Sequence, residues 1–174
     1  GKWPMANCQM TGVHSTDMQP VSAGGLAKSL DGQNFSGCAA TVIGYGFMGK
    51  HYVQALNALG VGRVRVCSRS EGPLEALWGE PGVTTVSGGY EHLDGPADPG
   101  DLAIVATPTA QLVATVKHIA SCGFKKMLIE KPVSLWSSTI EDLTESLEHQ
   151  GIDVACAYNR VAYPSFLEAR ARTH

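Results

Sequence analysis

The apolar stretch that begins at Cys38 runs without interruption into three glycines, Gly44, Gly46 and Gly49, and these run directly into an amphipathic segment. Few folds pass from a buried strand to a helix in so short a space. In the strand–turn–helix unit that does, the first glycine allows the tight turn and the second leaves room for a pyrophosphate to approach. The third lets helix and strand pack closely. The helix start adds unpaired N–H groups and about half a positive charge, which suits an anion. Turns that bind nothing can show the same spacing, so the weight falls on the rest of the chain.

From Ala39 onward, apolar runs alternate with amphipathic segments, the pattern of a parallel sheet with crossover helices. "TVIG" is a first buried strand. Met48, Tyr52, Leu56 and Leu59 then recur at helical spacing, with Gly60 placed to end the helix in a left-handed turn. "VRVCS" is a second strand and "GPLEALWG" a short helix with Pro73 at its start. "VTTVS" is a weaker third strand, followed by an irregular connection to Gly100. "DLAIVAT" reads as a central strand covered on both faces. Leu112, Val113, Val116, Ile119 and Ala120 form the inner face of the next helix, "KMLIE" is a fifth strand and "DVACAY" a sixth. Ser138 and Glu141 fit a capping box, with Ile140, Leu143 and Leu147 as the stripe behind it. The fold expected is α/β, a doubly wound parallel sheet of the Rossmann kind over residues 39–157. Residues 1–38, rich in Gly, Ser, Gln, Asn and Asp, read as a flexible extension or linker, with a short helix near Gly25–Leu30. Residues 158–174 enter a second α/β domain that breaks off within a helical stretch, "PSFLEARARTH".

Composition narrows the function. The 174 residues are 44% hydrophobic and 17% charged, with a net charge of -3, and the 13 Lys and Arg are scattered, so no basic stripe is present to track nucleic acid. No apolar run reaches the roughly 20 residues that span a bilayer, and no leader pattern opens the chain. The chain reads as soluble and cytoplasmic. Five cysteines, Cys8, Cys38, Cys67, Cys122 and Cys156, are odd in number and scattered, which argues against a disulfide framework and a structural zinc site. His118 and Cys122 share a helix face, an arrangement read as packing; no metal is expected.

The residues that would meet a dinucleotide follow from the strand ends. Gly44, Gly46, Phe47, Met48 and Gly49 form the loop that would hold the diphosphate. About 20 residues further on, where an NAD site usually places an acid against the ribose 2′-hydroxyl, stand Ser68 and Arg69. A methyltransferase would also want an acid there. A guanidinium can stack on adenine and pair with a 2′-phosphate, and no carboxylate repels it, so NADP(H) is expected over NAD(H), which the site also admits.

"ATPTAQ" after the fourth strand, "LIEKPVS" after the fifth and "YNRVAYP" after the sixth complete an ordered set with the glycine loop. The set resembles the glucose–fructose oxidoreductase and inositol dehydrogenase family over about Ala39 to Pro164. The resemblance implies a first domain that binds a nicotinamide dinucleotide and a second that binds a sugar, cyclitol or related polyol. It implies that Lys131 of the Glu130-Lys131-Pro132 motif is the catalytic residue of this segment, directed at the reacting carbon, with Glu130 orienting it or touching cofactor. Pro132 matches a proline often preceded by a cis bond in the family. Thr107 and Pro108 would line the dinucleotide, and His51 serves helix packing and capping. The chain departs from the pattern in two places: no histidine follows Thr107-Pro108, and Val161 replaces the second arginine of the usual pair. The family's acid–base residue falls beyond His174, and its second domain commonly forms the homo-oligomer interface. The expected function is an NADP-dependent dehydrogenase or reductase acting on CH–OH groups. A dinucleotide-sensing or regulatory domain without chemistry stays open as the alternative.

Overall fold

The computed structural model describes residues 33–158 and 163–172; the expected extension up to residue 32, including the helix near Gly25–Leu30, and residues 159–162 of the Tyr158–Pro164 stretch lie outside them. The chain divides into two units: Phe35–Ala157 is one, and the helix Pro164–Arg172 belongs to the other. In the first unit, β1 (Ala39–Ile43) leads into α1 (Phe47–Ala58), followed by β2 (Arg63–Ser68), β3 (Val83–Ser87) and β4 (Leu102–Val105). Next come α2 (Thr109–Ser121), β5 (Lys126–Ile129), α3 (Ser137–His149) and β6 (Asp153–Cys156). Segments of 3-10 helix, six residues at Gly72–Leu77 and three at Tyr90–His92, flank β3. The helix of the second unit is α4 (Pro164–Arg172), where Arg172 and Glu168 pair one turn apart on the exposed surface.

All six strands run parallel in the order β3-β2-β1-β4-β5-β6, the doubly wound arrangement expected from the sequence. The central strands β1 and β4 are covered on both faces because they are apolar at consecutive positions, and the period of two divides those positions between two cores. Val42 stands opposite Val66 on β2 and Ile104 on β4. These side chains meet Val53 and Leu56 of α1 and Leu74 and Leu77 of the first 3-10 turn. The alternate residues, Ile43, Val105, Met127 and Ile129, meet Leu112, Val116 and Ile119 of α2, Leu143 and Leu147 of α3, and Phe124. Each fully buried Val, Ile or Leu contributes about 1.5–3 kcal/mol, so the layered core defines the fold.

Several local readings change. The buried stripe of α1 is Gly49, Val53 and Leu56, whereas Leu59 is 43% exposed. The stripe is rotated because Gly49, having no side chain, is the residue pressed against β1. Gly60 does end the helix with a positive φ of 71°. Ile140 of α3 is 39% exposed, leaving Leu143 and Leu147 to bury the helix. No capping box forms: α3 is capped at Trp136 without a side-chain bond, which places Ser138 inside the first turn, and Ser134 Oγ accepts the Trp136 N–H at 3.1 Å. Cys38 is disulfide-bonded, while Cys67, Cys122 and Cys156 are free, so no framework of several disulfides forms among the described residues.

Near the amino ends of the strands lies a buried polar cluster that hydropathy could not announce. Thr41 donates its hydroxyl to Asp101 Oδ2 at 2.8 Å, the Ala97 N–H donates to the same oxygen at 2.9 Å, and Arg65 lies 3.7 Å from it. Arg65 also donates to Thr41 Oγ1 and to the Gly95 carbonyl. Asp101 Oδ1 has no partner. Burial pushes the Asp101 carboxyl up, outweighing the downward pull of Ala97, Thr41 and Arg65.

Candidate functional site

At the carboxyl ends of the strands the chain leaves β1 and β4 in opposite directions across the sheet, which opens a crevice. Gly44 turns the chain out of β1: its φ is 100°, its N–H donates to the Cys67 carbonyl at 2.8 Å, and a Cβ there would stand 2.6 Å from the Ala106 carbonyl oxygen. Gly49 lies under α1, where a Cβ would meet the Gly44 carbonyl oxygen at 1.9 Å. Gly46 is different. A Cβ on it would have nothing within 4 Å, and it caps α1 with no side-chain bond and no acid in the first turn. Two glycines are thus required by the protein's own packing, and the third faces open space above a helix N-terminus whose first N–H groups point outward.

The crevice holds about 770 Å³, within the range of cofactor sites. It gathers all the predicted site residues except Gly49, which lies beneath its floor: Gly44, Gly46, Phe47, Met48, Ser68, Arg69, Thr107, Pro108, Glu130 and Lys131 line it. Phe47 is 78% exposed, on the rim. Ser68 ends β2 half-buried and Arg69 follows it exposed. Pro108 caps α2, and the Thr107 hydroxyl lies 3.2 Å from that of Thr115, which donates to the Gln111 carbonyl.

Glu130, buried at the end of β5, has both carboxylate oxygens engaged. Tyr52 of α1 donates its hydroxyl to Oε1, and the Lys131 N–H donates to Oε2 at 3.0 Å. The Lys131–Pro132 bond is cis, and the exposed Lys131 side chain lines the crevice. Burial first, then the hydrogen bond and the charge of Glu130, hold the Tyr52 hydroxyl well above the usual phenol range, so it acts as a donor. His51 is exposed; its Nδ1 pairs with the Phe47 carbonyl at 2.8 Å, and its ring lies against that of Phe47 with centroids 4.6 Å apart.

Other residues in and around the crevice escaped sequence reasoning. Tyr52, which holds Glu130 without itself lining the crevice, reads in the sequence only as part of an apolar stripe. The loop Gly88–His92 bounds the Ser68–Arg69 end; its two adjacent glycines were the available signal. Cys67, buried in the wall, has its thiol pushed up to about 11, chiefly by burial, with Glu91 adding to the rise and Arg65 opposing it. It stays a thiol near neutral pH. His118 Nε2 and Cys122 Sγ lie 3.4 Å apart, and among the described residues no cluster of three metal-ligating side chains occurs. Among those residues no helix is long and apolar enough to cross a membrane.

Solved structures share this architecture. The scyllo-inositol dehydrogenase of Lactobacillus casei, in its apo form, matches with a TM-score of 0.67 at 18% identity, over 81% of this chain and 42% of that one. An oxidoreductase from Agrobacterium radiobacter in complex with NAD+, L-tartaric acid and magnesium matches at 0.61 and 22%, over 71% of this chain and 36% of that one. GenD2 from gentamicin A biosynthesis, in complex with NAD, matches at 0.64 and 26%, over 78% of this chain and 38% of that one. The chain therefore spans about two fifths of the length of these structures. A search of curated protein sequences finds no match. The model of the oxidoreductase family with the NAD-binding Rossmann fold matches residues 39–158. With the strand order and the glycine geometry, this match makes the chain a member of that oxidoreductase family.

Proposed function

We propose that this chain is the cofactor-binding half of an NADP-dependent oxidoreductase that interconverts a secondary alcohol and a ketone on a sugar, cyclitol or related polyol. The observation that carries the reading is the open face of Gly46 at the uncapped start of α1. Residues 39–157 form the dinucleotide-binding domain, and 158–174 lead into the substrate domain. The inositol dehydrogenase among the similar structures supports this class of substrate and the bound NAD of GenD2 a nicotinamide dinucleotide, while the preference for NADP rests on Ser68 and Arg69.

When bound, the nicotinamide supplies the hydride chemistry; the chain positions it. Gly46, Phe47 and Met48 present backbone N–H groups to the diphosphate, and Thr107 and Pro108 bound the opposite wall. Lys131 donates hydrogen bonds to the substrate oxygen and stabilises negative charge that develops on it. Glu130 is a positioning residue: with one oxygen on the Lys131 N–H and the other on Tyr52, it sets the backbone from which Lys131 projects. Arg69 pairs with the 2′-phosphate, a charge-assisted contact of about 1.5–3 kcal/mol.

Titrating NADPH and NADH fluorescence with the purified chain tests the reading. Saturable binding of both is expected, tighter for NADPH, with Arg69→Ala weakening NADPH by about one to two decades. Absence of a saturable response to either dinucleotide would overturn it.

A further inference from the structure

The loop after β3 sends two side chains into the end of the crevice bounded by Ser68 and Arg69. The Gly88 N–H donates to the Arg69 carbonyl at 3.3 Å and the Gly89 N–H to the Ser68 carbonyl at 3.2 Å, which seats the loop on the end of β2. Both glycines have positive φ, 97° and 104°, a conformation that side chains disfavour. The space they leave is used. A Cβ on Gly88 would stand 2.8 Å from the His92 ring, and one on Gly89 would stand 2.7 Å from Glu91 Oε2. Glu91 and His92 therefore fold back over the glycine backbone, and both line the crevice beside Ser68 and Arg69. Glu91 is also near enough to Cys67, the residue before Ser68, to help raise its thiol.

This inference rests on the reading that the crevice takes a dinucleotide whose ribose lies at the Ser68–Arg69 end. A ribose 2′-hydroxyl is ordinarily held by an acid at the end of β2, and β2 of this chain ends without one. We propose that Glu91 is a specificity-determining residue of the site. Its carboxylate, carried in from the loop after β3, accepts the 2′-hydroxyl of NAD(H) and opposes the 2′-phosphate that Arg69 attracts. The 2′-phosphate carries about -1.5 to -2 charges near pH 7. A carboxylate a few ångströms away at a partly exposed site changes affinity by about tenfold. The two residues make opposite demands, so the protein accepts both dinucleotides with a narrow preference.

The test is the ratio of NADH to NADPH dissociation constants, from fluorescence titration of the parent chain, Glu91→Gln and Glu91→Lys, with thermal midpoints measured alongside. Glu91→Gln is expected to shift the ratio toward NADPH by about tenfold, and Glu91→Lys further in the same direction. A ratio unchanged by both substitutions, with both dinucleotides still bound, overturns the role of Glu91 and leaves the dinucleotide reading standing. If the parent prefers NADH and the variants still shift toward NADPH, the role of Glu91 is supported and only the NADP preference fails. A parent that binds neither dinucleotide overturns both.

Discussion

Replacing Gly49 and Gly46 in turn by alanine separates packing from ligand binding, because the structure assigns the two different neighbours. At Gly49 the new methyl would lie 1.9 Å from the Gly44 carbonyl oxygen, and real contacts essentially never fall below 3.0 Å. That oxygen is backbone and cannot swing aside, so α1 must retreat from β1, loosening Val53 and Leu56 from the sheet. A cost of about 3 kcal/mol or more is expected, read as a drop in the urea midpoint. At Gly46 the methyl meets nothing within 4 Å and φ is -84°. Reduced freedom of the unfolded chain stabilises Gly46→Ala by about 0.4–1 kcal/mol, and loss of glycine at a helix cap costs about as much, so the midpoint should barely move. Binding should change sharply. The methyl enters the path of the diphosphate, and each backbone bond to phosphate lost costs about 1.5–3 kcal/mol, a factor of about ten or more. Urea titration paired with NADPH titration gives both readouts. A Gly46→Ala protein that binds NADPH like the parent, or one that unfolds as readily as Gly49→Ala, would refute the reasoning.

Three further outcomes follow from named groups. Tyr52→Phe keeps the ring and removes the donor to buried Glu130, so stability should fall by about 1–3 kcal/mol in urea melts; the effect should shrink in a Glu130→Gln background, and additive losses would count against the pair. Asp101 has a native pKa raised above 3.8, so the stability it contributes is present below that value and lost as pH rises through the native one. Relative to Asp101→Asn, the parent should therefore lose stability as pH climbs above about 4, whereas a flat difference up to neutral pH would show that burial is not the controlling cause. Cys67, with its thiol up to about 11, should resist alkylation at pH 8 in the folded chain by site-resolved mass spectrometry; labelling as fast as in urea would contradict this.

The sheet was legible because its central strands are short apolar runs bounded by Gly, Pro or charged residues, and a doubly wound order is the usual way to cover such runs on both faces. Helix faces were less so. The stripe through Met48 and Leu59 fits helical spacing as well as the true one through Gly49 and Val53, and only the contact of Gly49 with β1 decides between them. Motif positions came together because each follows a strand, and parallel strands deliver their ends to one side. What stayed hidden depends on tertiary proximity. Nothing local links Tyr52 to Glu130, 78 positions away, or Asp101 to Thr41, 60 positions away. Glu91 enters the crevice only because Gly88 and Gly89 bend the chain back onto β2.

The grip of Tyr52 on Glu130 joins α1, which starts at the glycine loop, to the end of β5, with β4 standing between β1 and β5. It works as a strut between the helix and the strand end. Any displacement of α1 therefore pulls on the Glu130 carboxylate and, through its other oxygen, on the amide of Lys131, a link that does not pass through the sheet.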